Sequence, residues 1–242
     1  MKVNTVQLSS TLFALTLLMG CSTAPRMQDS MQERSVQTAS QSERLGTKWG
    51  DEVNSRVRTV DLRRTSSQPV EQMQVYYADK DYRGRTLNSM SLLAGKIDFS
   101  VAADYGPLPI FRDSGHYYVR GQAGQAYRLV YQNNSSNTYE IVASVDGLNV
   151  IDGSKASRSG KGYVLNPQDS LTIEGFRKSQ NAVASFIFSK PDDAYAANTD
   201  AGSINNTGVI GTVIYELYDP SRSQPLQPQA FPADKRYAQP PK

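Results

Sequence analysis

Cysteine, histidine and tryptophan each occur once in this 242-residue chain, and each scarcity removes a class of chemistry. A single cysteine, Cys21, cannot form an intramolecular disulfide in any compartment. One cysteine and one histidine also leave the usual structural zinc sites short of ligands, because those sites draw on several Cys and His side chains. A Ser-His-Asp hydrolase would have to use His116, in Ser114-Gly115-His116-Tyr117-Tyr118, and no Gly-x-Ser-x-Gly elbow precedes it. A tyrosine-flanked edge-strand histidine is the simpler assignment. The phosphate loop Gly-x-x-x-x-Gly-Lys-Ser/Thr is missing, and Ser159-Gly160-Lys161-Gly162 has the wrong spacing and precedes a strand pattern. Net charge is small too. The formal balance is +3, or +2 without residues 1–20 and their single cation Lys2, so no nucleic-acid partner is expected. Nor does any apolar run reach the roughly 20 residues that a spanning helix needs.

What is present begins with an export layout: Lys2, an apolar run from Leu12 to Met19, then Gly20-Cys21. Leu18-Met19-Gly20-Cys21 resembles the lipobox of bacterial lipoproteins, with Met19 the uncommon choice. The resemblance implies a signal peptide over residues 1–20, lipidation (palmitate among the acyl chains) at Cys21, and a permanent membrane anchor at about 0.8 kcal/mol per buried CH₂. Ser22, rather than Asp, after the cysteine is similar to lipoproteins forwarded to the outer membrane, on its periplasmic or surface side. Residues 21–44 hold almost no large apolar side chains and read as a lipidated tether, about 25 Å long as a flexible coil. Residues 219–242, with Pro220, Pro225, Pro228, Pro232, Pro240 and Pro241, read as an extended Pro/Gln-rich tail.

Between them, residues 45–218 carry β punctuation. Tyr127, Leu129 and Tyr131 alternate with Arg128, Val130 and Gln132. Asn133 to Asn137 then supplies turn chemistry before a second strand pattern over residues 138–145, which together predict a hairpin. Leu171 and Ile173 alternate, Ala184, Phe186 and Phe188 share a face, and residues 209–218 form a longer β-branched and aromatic run. Asp146-Gly147, Asp152-Gly153 and Asn166-Pro167 punctuate these runs as turns. The expected fold is mainly β: a β-sandwich, with the jelly roll as one form of it, bracketed by disordered termini. One short helix is expected within residues 85–95, from Leu87, Met90, Leu92 and Leu93, with Gly95 as its stop.

Among binding features, Phe176, Arg177 and Lys178 place an aromatic ring beside two cations, a set able to grip a sugar or a carboxylate. The alternative is Phe176 as a core anchor with the cations at a turn. The chain from Asp146 to Gly153 places oxygens at three-residue intervals, but it lacks the alternate oxygens and twelfth-position Glu of an EF-hand loop. Two turns around a short strand from Leu148 to Ile151 account for it, with calcium near Asp146 and Asp152 left open. Tyrosine is abundant at 14 residues, with the pairs Tyr76-Tyr77 and Tyr117-Tyr118. Tyrosine suits recognition surfaces, yet adjacent strand residues point to opposite faces, which leaves one of each pair for the core.

Ser144 to Val150, Gly162-Tyr163-Val164-Leu165, Phe176 to Ser179, Tyr195-Ala196-Ala197, Gly208 to Gly211 and Leu45 to Gly50 together look like a group of uncharacterised proteobacterial exported lipoproteins. The resemblance implies domain extent and carries no activity. No catalytic residue, metal or cofactor is assigned. The expected role is a membrane-anchored envelope lipoprotein that is not an enzyme, acting in protein binding or surface assembly. A glycan-binding module for envelope or extracellular polysaccharide is the alternative, and a carboxylate-dependent hydrolase comes third.

Overall fold

Side chains that alternate between core and solvent set the architecture of this protein, seen in a computed structural model that describes residues 43–218. The expected signal peptide, Cys21, most of the expected tether and the expected tail after residue 218 lie outside the described residues. The chain opens with β1 (Gly46–Asn54), β2 (Arg63–Arg64) and β3 (Glu71–Ala78), followed by β4 (Arg85–Leu87) and β5 (Met90–Leu92). Next come β6 (Ile97–Ala103), β7 (Gly106–Pro107), β8 (Ile110–Asp113) and β9 (His116–Arg120), then β10 (Ala126–Asn133), β11 (Tyr139–Val145) and β12 (Leu148–Asn149). The last are β13 (Tyr163–Leu165), β14 (Ser170–Ile173), β15 (Gly175–Arg177), β16 (Ala182–Ser189) and β17 (Val209–Tyr218). Among the described residues the only helical segments are 3₁₀ turns, and no helix is long and apolar enough to cross a membrane.

The strands form two sheets. The first runs β1-β16-β10-β6-β5, and the second runs β12-β11-β17-β3-β9-β8-β4. All pairings are antiparallel except β3 with β9. The sheets pack face to face as a sandwich. Tyr127 and Phe188 of the first sheet stack 4.1 Å apart, and Tyr77 of the second lies 5.1 Å from Phe188. Tyr131 and Thr212 join their hydroxyls across the sheets at 2.7 Å. The expected mainly β sandwich is therefore what forms, and residues 209–218 make the long strand β17.

Two local expectations change. The two runs form strands, residues 127–132 within β10 and residues 139–145 as β11, but they do not pair: β10 lies in the first sheet and β11 in the second. The connection arches over the end of the sandwich because the buried Asn133 amide donates to the carbonyls of Asn137 (2.7 Å) and Asn166 (2.8 Å), while its oxygen accepts from the Ser135 backbone. The helix expected over residues 85–95 is replaced by β4, β5 and a single turn at Leu93–Gly95. Met90 and Leu92 are both buried on one face, a period of two, and Leu93, Ala94 and Gly95 all have φ between 49° and 91°, which a right-handed helix does not allow.

Candidate functional site

The three residues singled out for ligand binding sit together at the end of β15, where packing and hydrogen bonds already use them. Phe176 is 1% exposed and packs edge-on against Phe186 at 5.1 Å. Trp49 stacks over it at 6.2 Å, and Tyr195 lies 4.7 Å from Trp49. Arg177 donates to the Tyr163 hydroxyl (2.8 Å), to the carbonyls of Ser55 (2.9 Å) and Ser179 (3.0 Å), and to Ser55 Oγ (3.1 Å). Lys178 is paired with Glu52. The Phe176 ring therefore presents no open face to a ligand, and the Arg177 fork, in β15 rather than exposed at a turn, is occupied by the fold.

The Asp146-Gly147 turn is a hairpin turn with φ of 53° and 78°, the type I′ conformation that Asp-Gly favours. That geometry drives the Asp146 carboxylate inward, where it is wholly buried. The hydroxyl of Tyr77 (2.6 Å) and the backbone N–H groups of Thr47 (2.7 Å) and Gly208 (2.8 Å) all donate to it. Thr47 Oγ1 then links the hydroxyls of Tyr77 (2.7 Å) and Tyr127 (2.6 Å), so one polar knot ties β1, β3, β10 and β17 to the turn. Burial raises the Asp146 carboxyl to about 6 despite its donors, and burial with the nearby carboxylate lifts both tyrosines well above their ordinary range. Asp152 is elsewhere, accepting from the Ser154 backbone and hydroxyl. The two aspartates do not share a site, and no cluster of three or more metal-ligating side chains occurs among the described residues.

A different surface has the geometry of a binding site. On β3, Met73, Val75 and Tyr77 face the core, which turns Gln72, Gln74 and Tyr76 outward from the second sheet. On β9 the same rule turns His116 and Tyr118 outward. Register sets Tyr76 beside Tyr118, and Tyr118 beside Phe111 of β8, so an aromatic row crosses three strands. Tyr82 stacks on Tyr118 at 4.9 Å and covers it, while Tyr76 stays half exposed, with its ring 6.2 Å from His116. Facing Gln74 across the ladder is Gly211, whose missing side chain leaves the floor low; a Cβ there would come within 2.6 Å of Ser144 Oγ.

The far wall is the connection from β12 to β13. Its Ala156 N–H donates to Gly147 (2.8 Å), Tyr215 donates to the Arg158 carbonyl (3.0 Å), and Arg64 donates to the Gly160 carbonyl (2.8 Å). Arg64 is itself fixed by two bonds to Glu140 and by the Tyr215 ring 3.8 Å away. Between this wall and β9 lies a groove of about 490 Å³, with Gln72, Gln74, Tyr76, His116, Ser157 and Arg158 among its lining. That volume lies in the range of ligand sites. No carboxylate lines it. A second trough of about 630 Å³ continues past Gln72 and adds Glu71, whose oxygens accept from the backbones of Gln72 and Leu93.

His116 contacts the rings of Tyr76 and Tyr118, and its neighbour Ser114 donates to Asp113 rather than to the imidazole. The groove thus offers stacking surfaces and hydrogen-bonding amides on rigid strands. Sequence reading missed it, although the paired tyrosines were a signal: Tyr77 goes to the core and Tyr76 to the groove. No family model, curated protein or solved structure matches this chain, so the groove is read from its own geometry.

Proposed function

We propose that this protein is a lipid-anchored envelope lipoprotein, held in the outer membrane through Cys21, whose β-sandwich is a non-enzymatic recognition module. It takes an envelope component in the groove over β3. The observation that carries this reading is the groove itself, an open trough of about 490 Å³ lined by two tyrosine rings, an imidazole and two amides among other residues. General acid–base chemistry needs a titratable pair within reach of one reacting group, and the lining holds no carboxylate to partner His116. Protein binding and glycan binding both require such a face, and Phe176, Arg177 and Lys178 are committed to packing and internal bonds.

Two measurements in intact cells test the reading. Metabolic labelling with a palmitate analogue should mark the wild type in the outer-membrane fraction and leave Cys21→Ser unlabelled. A photo-crosslinking residue at position 74, on the groove floor, should yield discrete adducts. The same residue at Thr172, exposed on the outer face of the first sheet, should not. Unlabelled, soluble wild type would remove the anchor. Equal adducts from both faces, or none at position 74, would remove the groove.

A further inference from the structure

We infer that the ligand of this groove is a glycan that is uncharged along the bound stretch, an inference that rests on the groove being the recognition face. The first argument concerns the backbone. β3 is paired with β17 on one side and β9 on the other, and β17 is itself held between β11 and β3. β9 pairs only with Tyr76–Ala78 of β3, and beside Gln72 and Gln74 the free edge is short, with the Gln72 N–H taken by Glu71 Oε1, so it offers an extended peptide few ladder positions. An amphipathic helix fares no better, because it seeks an apolar trough and this floor carries Gln72 and Gln74.

Most of what the groove presents is side chains, and these have one chemistry in common. Gln72 and Gln74 lie two residues apart on one face of β3, and each amide presents two donors and an acceptor. Gln74 Oε1 accepts from the Tyr76 hydroxyl at 3.1 Å, which fixes that amide with its NH₂ free to donate. Beside them stand the half-exposed Tyr76 ring and the exposed His116 ring, 63° apart in plane. A pyranose supplies the complement: an edge of hydroxyls that both donate and accept, and a C–H face that packs on an electron-rich ring. Gly211 opposite Gln74 leaves the floor open where a ring substituent would sit.

Charge selects among glycans. The lining has no carboxylate to attract a cationic sugar, and its one permanent cation, Arg158, stands on the wall rather than in a basic row. Uronate or phosphate polymers are held by several cations acting together. A neutral chain, bound by stacking and amides, matches what the groove presents.

The test uses the purified full chain on an array carrying neutral oligosaccharides and uronate oligosaccharides, followed by calorimetry with the neutral glycan retained most strongly. Neutral glycan should be retained. Tyr76→Ala should weaken it about tenfold, the scale of one aromatic contact, Gln74→Ala should weaken it measurably, and Thr172→Ala should leave it unchanged. Gln74 is exposed, so its variant tests the site even if Tyr76→Ala perturbs folding. No retention of neutral glycan, or affinity unaltered in Gln74→Ala, overturns the inference. If position 74 still crosslinks in cells while neutral glycans fail, the groove stands and its ligand is of another class. If both fail, the groove falls with it.

Discussion

Tyr76 and Tyr77 are adjacent in the chain and belong to two regions built on opposite rules. Tyr77 points into the sandwich, where its hydroxyl bonds both Asp146 and Thr47. Tyr76 points out, into a groove whose amides and rings have capacity to spare. In the knot around Asp146 every donor finds an acceptor, because a buried polar group left unpaired costs about 1–3 kcal/mol. Satisfaction of this kind marks a part that holds the fold. Unspent capacity at an accessible surface marks a part that can hold something else. Leu45–Gly50, Ser144–Val150 and Gly208–Gly211 meet at the knot through Thr47, Asp146 and Gly208. Those segments therefore report on construction more than on ligand.

The comparison breaks most readily at Asp146. Asp146→Ala would strand the Tyr77 hydroxyl and the N–H groups of Thr47 and Gly208, and would put alanine at a φ of 53°. The expected loss is about 4 kcal/mol or more in urea denaturation. A loss under about 1 kcal/mol would show that the knot holds little. Groove affinity, by contrast, should be unaffected wherever the variant is folded.

The same carboxyl gives a pH signature. Burial raises it from 3.8 to about 6 on folding, so the folded state holds its proton more tightly than the unfolded state. The associated stability is fully present below about pH 4 and is lost as pH rises through about 6, for a change of about 3 kcal/mol. Urea midpoints between pH 4 and 7 should therefore fall in the wild type relative to Asp146→Asn. A wild-type midpoint that rises relative to the variant would mean that three donors outweigh burial.

Much of the fold was legible and little of the site was, for a physical reason. Strand periodicity is local, so β17 and the alternation in β10 could be read directly, as could the Asp-Gly turn. The arch from β10 to β11 could not, because Asn133 finds its deciding acceptor at Asn166, far along the chain. The same distance hid the use of Arg177, whose partner Ser55 is 122 residues away. Residues 85–95 misled because leucine and methionine favour helix locally, while the core asked for alternation at Met90 and Leu92. The tyrosine pairs signalled that one ring would face out. They could not say which, since Tyr77 and Tyr118 are both buried.

Tyr77→Phe and Tyr118→Phe sharpen the contrast with the smallest changes. Both hydroxyls are buried, yet Tyr77 donates to a carboxylate and Tyr118 has no partner. Removing the first should cost about 2 kcal/mol, the scale of a hydrogen bond to a charged group. Removing the second deletes a buried polar atom that makes no bond, so stability should stay within about 0.5 kcal/mol of wild type or rise slightly. Urea melts of the two variants at pH 7 make the comparison directly. Equal losses would mean that the Tyr118 hydroxyl is satisfied in solution, by a water beneath Tyr82 for instance. The aromatic row would then be a second hydrogen-bonded element of the fold, and only Tyr76 and His116 would be left to the groove.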